Sequence, residues 1–228
     1  MNSNTPSVIV FDVNETLSDM STMKARFVDI GAPSYLAGIW FASLLRDGFA
    51  LAAAGGAAKF AEISCEILRG VLRDVALTGN LDDAVEHIMA GFFALNLYPD
   101  VEDGIRALKT TGLRLVTLSN GGKQVARTLL TRAGLQNEFE ALLTVENASA
   151  WKPVRAAYDY AADVCGVPTG DMLLVAVHPW DIHGAAQAGL STAWLNRTGQ
   201  AYPSYFAAPD YTVTALGELA VRISASKR

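Results

Sequence analysis

Asp12 ends the apolar run SVIVFD, and an amide, a second carboxylate and a hydroxyl follow within four residues: Asn14, Glu15 and Thr16. A carboxylate so placed can serve as nucleophile, base or metal ligand. Three other segments carry groups of the same kind. Ser119 and Asn120 lie in LSNGG, Lys152 lies in WKP ahead of Tyr158, and His178 and Asp181 lie in HPWDIHGA. These segments are far apart in sequence, so any shared chemistry depends on a fold that gathers them.

A short β-branched run closing on a carboxylate is the pattern of a buried parallel strand that delivers a residue at its C-terminal tip. Short apolar runs recur at 113–122, 141–147, 172–181, 191–196 and 211–213, with helical stretches at 122–134 and 154–166 between them. That alternation predicts an α/β, Rossmann-like fold, a parallel sheet with helices on both faces. Residues 18–97 break the rhythm. The stretches 34–52 and 57–72 have helical period, and Leu81, Val85, Ile88, Met89, Phe92 and Phe93 fall on one helical face. The expected organisation is a core of residues 1–17 and 98–228 with an inserted all-helical cap subdomain, 18–97. Ligands of an open parallel sheet sit beyond the carboxyl ends of its strands. Asp12, Ser119 with Asn120, and His178 with Asp181 would then share one rim beneath the insert.

The composition fits an enzyme acting on a small molecule. A chain of 228 residues, 51% hydrophobic and 18% charged, can bury a full core. Its formal charge of −5 and scattered Lys and Arg leave no basic stripe for nucleic acid. Cys65 and Cys165 stand apart with no CxxC, which argues against a disulfide framework or zinc site and predicts buried thiols. The start MNSNTPS lacks the features of a leader, and no apolar run approaches the roughly 20 residues that span a bilayer. The expectation is a cytoplasmic enzyme with neither a membrane nor a nucleic-acid partner. His87, among acidic residues, reads as a solvated face, and His183 as structural.

Taken together, FDVNETL, LSNGG, WKP and HPWDIHGA, in this order and followed by LNRTG, resemble the motifs of the haloacid dehalogenase-like hydrolases and, within them, the type II (S)-2-haloacid dehalogenases. The resemblance covers nearly the whole chain. It implies Asp12 as nucleophile, Lys152 and Asp181 as catalytic partners, and substrate contacts from Asn14, Thr16, Ser119, Asn120 and Tyr158. Phosphatases of the superfamily carry a second acid two residues after the first, to protonate the leaving group, and share Mg²⁺ with a later acid. Here Asn14 occupies the first of those places, and Ala176 and Val177 stand where Gly-Asp would be. A departing halide needs no proton, whereas an alkoxide does. The implied reaction converts a short 2-halo acid to the 2-hydroxy acid and halide through an Asp12 ester, with neither metal nor cofactor, in a homodimer. The rival readings are a phosphatase of the superfamily and an idle binding protein.

Two departures from the type II pattern stand out. Ala176 and His178 replace the usual Ser and Asn, so His178 with Glu15, from neighbouring strand tips, is the candidate pair for activating water. Phe41 follows Trp40 where an Arg is usual, so Trp40, Phe41 and Asn120 become the candidate halide cradle.

Overall fold

In a computed structural model, which describes residues 6–148 and 150–226, six strands form one parallel sheet. The polar start at residues 1–5, read above as lacking a leader, lies outside the described residues. The strands are β1 (Val8–Phe11), β2 (Arg114–Ser119), β3 (Ala141–Thr144), β4 (Met172–Ala176), β5 (Ser191–Leu195) and β6 (Tyr211–Val213), in spatial order β3-β2-β1-β4-β5-β6. β1 is central, with Val8 opposite Arg114 on one side and Met172 on the other. Its four residues are wholly buried, as a strand covered on both faces requires.

Side chains alternate across the sheet with the strand period of two. Ile9, Phe11, Leu115, Leu173 and Val175 face one core, with α5 (Val101–Lys109), α6 (Lys123–Arg132) and α9 (Leu216–Ser226) supplying Ile105, Leu130 and Leu219. Val8, Val10, Val116, Leu118 and Leu174 face the other, with α7 (Arg155–Cys165) and α8 (Pro179–Ala188). This second core runs on into four helices that intervene between β1 and α5: α1 (Met23–Asp29), α2 (Leu36–Ala53), α3 (Phe60–Leu72) and α4 (Leu81–Phe93). Ser18 and Leu97 pair where the chain enters and leaves this helical segment. α2 is long and apolar enough to cross a membrane by length and composition, with a mean hydropathy of 1.3. It also carries Arg46 and Asp47 and turns Trp40 and Leu44 into the helical core.

The helical segment reaches the sheet's carboxyl end through rings. Trp151 stacks on Phe60 at 6.0 Å and donates its indole N–H to the Ala58 carbonyl at 3.1 Å. Gly48 lies flat beneath that indole, where any Cβ would come within 2.3 Å of the ring. Phe49 meets Trp180 edge-on at 4.9 Å.

The expected strands at 113–122, 141–147, 172–181 and 191–196 are shorter in the structure, ending at Ser119, Thr144, Ala176 and Leu195. The run 141–147 is extended only to Thr144, whose hydroxyl accepts from Glu146 N–H and donates to the Gly121 carbonyl, turning the chain. The run 172–181 stops at Ala176, because Pro179, with its fixed φ, starts α8. Three helices escaped the sequence reading: α1, α5 and α9.

Candidate active site

Asp12, one residue beyond β1, is 4% exposed, and both of its oxygens are engaged. Lys152 Nζ donates to Oδ1 at 2.8 Å, and the Thr16 hydroxyl donates to Oδ2 at 2.7 Å. His178 Nδ1 lies 3.3 Å from the same Oδ2. Thr16 is held in turn by the Val177 main chain, whose N–H donates to its hydroxyl at 3.1 Å. Burial opposes ionisation of Asp12, but the charges and hydrogen bonds of Lys152 and His178 prevail and keep it well below the usual carboxylate range. The strand tip therefore presents an ionised acid away from bulk water.

Lys152 is fully buried, with its ammonium also 2.6 Å from Asp181 Oδ2. Burial disfavours its charge, yet the two carboxylates raise its pKa on balance. Asp181, in the first turn of α8, accepts the Tyr158 hydroxyl at 2.6 Å; burial foremost, with the Asp12 charge, pushes its own pKa up against the pull of Lys152. The Asn120 amide clamps the Lys152 main chain from both ends: Lys152 N–H donates to Oδ1 at 3.0 Å, and Nδ2 donates to the Lys152 carbonyl at 3.2 Å.

His178 bridges two acids. Its Nε2 lies 2.8 Å from Glu15 Oε2 while its Nδ1 faces Asp12. Glu15 adopts φ 62°, the only positive φ among the described residues other than glycine. A left-handed backbone costs a side-chain-bearing residue about 1–2 kcal/mol, so this site keeps a carboxylate where glycine would be relaxed. Burial would lower the imidazole pKa, but hydrogen bonds to Asp12 and Glu15 and their charges raise it to about 9 from 6.5.

That shift has a consequence for stability. The folded pKa lies above the unfolded one, so the stabilisation is complete below about pH 6.5 and is lost as pH rises through about 9. It amounts to on the order of 3 kcal/mol. Urea unfolding of the parent should weaken across that window, and His178→Gln should flatten the profile; a parent flat from about pH 6 to about pH 9.5 would contradict the assignment.

The remaining expected site residues divide. Ser119 Oγ accepts from Gly121 N–H at 2.9 Å, leaving its own proton to give. Asn14 is 5% exposed beside Ser119 and Gly121, and its Oδ1 is buried without a hydrogen-bond partner among the described residues. These two are free to meet a ligand. Thr16, Asn120 and Tyr158, expected as substrate contacts, instead support Asp12, Lys152 and Asp181: each spends its polar group on one of them, and Thr16 and Tyr158 are 0% exposed. Trp40 is a core residue rather than a cradle wall. It is fully buried between Phe27 and Phe92, its indole N–H donating to the Ser64 carbonyl, and Phe41 packs edge-on against it. The Trp and Phe at 40 and 41 were ambiguous because α2 is apolar on more than one side.

Trp180 was missed. Its ring stacks on His178 at 5.0 Å, lies 5.9 Å from Lys152 Nζ and touches Phe49, so it roofs the charged cluster. The available signal was its place between His178 and Asp181.

Comparison with known proteins agrees with this geometry. The chain is 28% identical over 214 residues to haloacetate dehalogenase H-2 of Moraxella sp. (strain B), covering 91% of this chain and 93% of that one. It is 29% identical over 211 residues to an (S)-2-haloacid dehalogenase of Pseudomonas sp. (strain YL), covering 91% and 90%. The crystal structure of an L-2-haloacid dehalogenase superposes with a TM-score of 0.90 at 26% identity, over 97% of this chain and 100% of that one. The family model of haloacid dehalogenase-like hydrolases matches residues 6–189, and with the acid, the lysine and the sheet order in their places the chain belongs to that family.

Proposed function

We propose that the protein hydrolyses the carbon–halogen bond of short (S)-2-halo acids, without a metal, through an ester on Asp12. The observation that carries this reading is the surroundings of Asp12: a lysine and an imidazole keep it ionised, and the residue two places on, Asn14, is an amide with no proton to give a leaving oxygen. The ammonium of Lys152 occupies the point between Asp12 and Asp181, the two acids a divalent ion would have to share. The relatives named for haloacetate and (S)-2-haloacids support the substrate class.

In the first step the Asp12 carboxylate attacks C2, the new C–O bond forms, and halide leaves with the electron pair of the broken bond. Exclusion of water by Trp180, Phe49 and Trp151 leaves the carboxylate poorly solvated and more nucleophilic. The substrate carboxylate meets neutral donors, the Ser119 hydroxyl and the Asn14 amide. Arg46 is no substitute for a cation here, being exposed and paired with Asp47 at 2.7 Å.

Esterification removes the Asp12 charge, and with it the main support for a charged imidazole. His178 then gives up the Nδ1 proton and becomes a base next to the ester carbonyl, its Nε2–H held by Glu15. Water attacks the Asp12 carbonyl carbon as His178 takes one of its protons; the imidazolium returns that proton to the departing oxygen as the acyl C–O bond breaks, so that the hydroxy acid leaves and Asp12 stands as the carboxylic acid.

The test is halide release from chloroacetate and 2-chloropropionate in EDTA, beside a panel of phosphate monoesters in Mg²⁺. Full activity in EDTA is expected. Loss of turnover that Mg²⁺ restores, or faster release of phosphate than halide, would refute the reading.

Glu15→Gly separates strain from chemistry. Relief of the left-handed backbone should offset the lost ion pair and keep the unfolding free energy within about 1 kcal/mol of the parent. Steady halide release should nonetheless fall about tenfold to a hundredfold, because the imidazole loses its orienting carboxylate. An undiminished rate would remove Glu15 from the mechanism.

A further inference from the structure

Carboxylates crowd the tip of β1. Asp12, Glu15 and Asp181 share two basic groups, and each of those already stands between two acids: Lys152 at 2.8 Å from Asp12 and 2.6 Å from Asp181, His178 at 3.3 Å from Asp12 and 2.8 Å from Glu15. Among the described residues no further ion pair reaches these acids. Arg46 is exposed on Asp47, Arg197 is tied to Asp100 and the Thr16 carbonyl, and Lys59 and Lys123 are exposed beside the starts of α3 and α6.

The neutral groups near Asp12 show which head group they would complete. β1 and β2 are neighbours, and beyond their tips Asn14 and Ser119 converge on Gly121, where a Cβ would lie 3.3 Å from Asn14 Nδ2 and from Ser119 Oγ, and 3.9 Å from Asn14 Oδ1. Ser119 Oγ accepts from Gly121 N–H and keeps its own proton to give. Asn14 is 5% exposed, and its Oδ1 is a buried acceptor without a donor among the described residues. The pair therefore offers one donor and asks for one. A carboxylate carries acceptors only, so it leaves the Asn14 oxygen unpaired and brings one more negative charge to the cluster. A carboxamide has the same planar shape without the charge. Its carbonyl can accept from Ser119 while its N–H donates to Asn14 Oδ1.

We propose that the protein also dehalogenates uncharged 2-halo amides, with a kcat/KM that equals or exceeds that for the corresponding acids. This rests on the ester mechanism proposed above, with the amide in the place of the acid. The Asp12 carboxylate attacks C2, the C–O bond forms, and halide departs with the electron pair of the carbon–halogen bond. Water then cleaves the Asp12 ester. The products are the 2-hydroxy amide, halide and one proton, and the C–N bond is untouched. The first step gains from the exchange, because an anionic nucleophile approaches a neutral molecule instead of a second anion.

The test measures halide release in EDTA from 2-chloroacetamide and 2-chloropropionamide beside chloroacetate and 2-chloropropionate, with chromatography of the products. The Asp12→Asn protein serves as the blank for halide freed by alkylation of Cys65 and Cys165. For each amide the parental kcat/KM should equal or exceed that for its acid, with glycolamide and lactamide as products. A lower value for the amides would overturn the proposal and leave the acid reaction standing, as would glycolate or lactate formed together with ammonia. Release from neither class would sink the function reading itself. Release from the amides alone would support the proposal and confine that reading to neutral substrates.

Asn14→Asp, in the same EDTA buffer, separates recognition of the head group from structure. A carboxylate at this position keeps an acceptor for the amide N–H and repels a substrate carboxylate, so the amide-to-acid ratio of kcat/KM should rise by about tenfold. An unchanged or lower ratio in the folded variant would overturn the pairing with Asn14 on which the proposal stands. Should that variant not fold, the parental ratio decides alone.

Discussion

Asp12→Asn lowers steady halide release by about four orders of magnitude or more, with the chain still folded. The amide is isosteric, and Lys152 keeps its contact with Asp181, so the packing survives while the nucleophile disappears. The effect is this large because no neighbouring acid can take over. Asp181 is committed to Lys152 and Tyr158, and Glu15 to His178. Isotope labelling gives a second readout. With parent enzyme in excess over substrate in ¹⁸O-water, the first hydroxy acid carries unlabelled oxygen, because its hydroxyl comes from the carboxylate. Label in that first product, or steady turnover by the Asp12→Asn protein, would mean that water attacks the substrate directly.

His178→Ala leaves the first step and stops the second. Mixing with 2-chloropropionate should release about one equivalent of halide per site, and turnover should then fall by about 10²–10⁴-fold, the usual contribution of a positioned base. Intact-protein mass spectrometry should show the alkylated chain. The burst itself survives because Asp12 keeps Lys152 and Thr16, which hold it ionised without the imidazole. Steady turnover near the parental rate would return the base role to a water held by Lys152.

Much of this arrangement was legible in the residues. SVIVFD reads as a buried strand with an acid at its tip because a β-branched run can be covered on both faces only inside a sheet, and Asp12 stands where that reading puts it. The pairing of His178 with Glu15 followed from two groups at neighbouring strand tips, and the 2.8 Å contact agrees. Pattern could not separate groups that meet a ligand from groups that hold those groups. Tyr158 and Asn120 have suitable chemistry in suitable segments, but their polar atoms are consumed by Asp181 and the Lys152 main chain, a fact fixed only by tertiary approach. Trp40 failed for a different reason: with apolar residues on several sides of α2, periodicity does not say which ring faces the core. α5 and α9 were missed because they are short and amphipathic, their burial lying in a few positions such as Ile105 and Leu219.

The central place of β1 bears on how the chain assembles. Val8 finds one neighbour at Arg114 and the other only at Met172, so the strand leading to Asp12 is synthesised long before its second flank exists. During that interval the helices from Met23 to Phe93, whose contacts close over short stretches, can collapse on their own, whereas VIVF remains an unpaired apolar edge. The buried ammonium arrives late too, since Lys152 follows β3. Nascent chains thus pass through a state in which the acid is present, solvated and chemically ordinary. Its reactivity is acquired only when β4 pairs with β1 and brings His178 and Asp181 alongside, and a chaperone that shields the β1 edge would protect the step on which that acquisition depends.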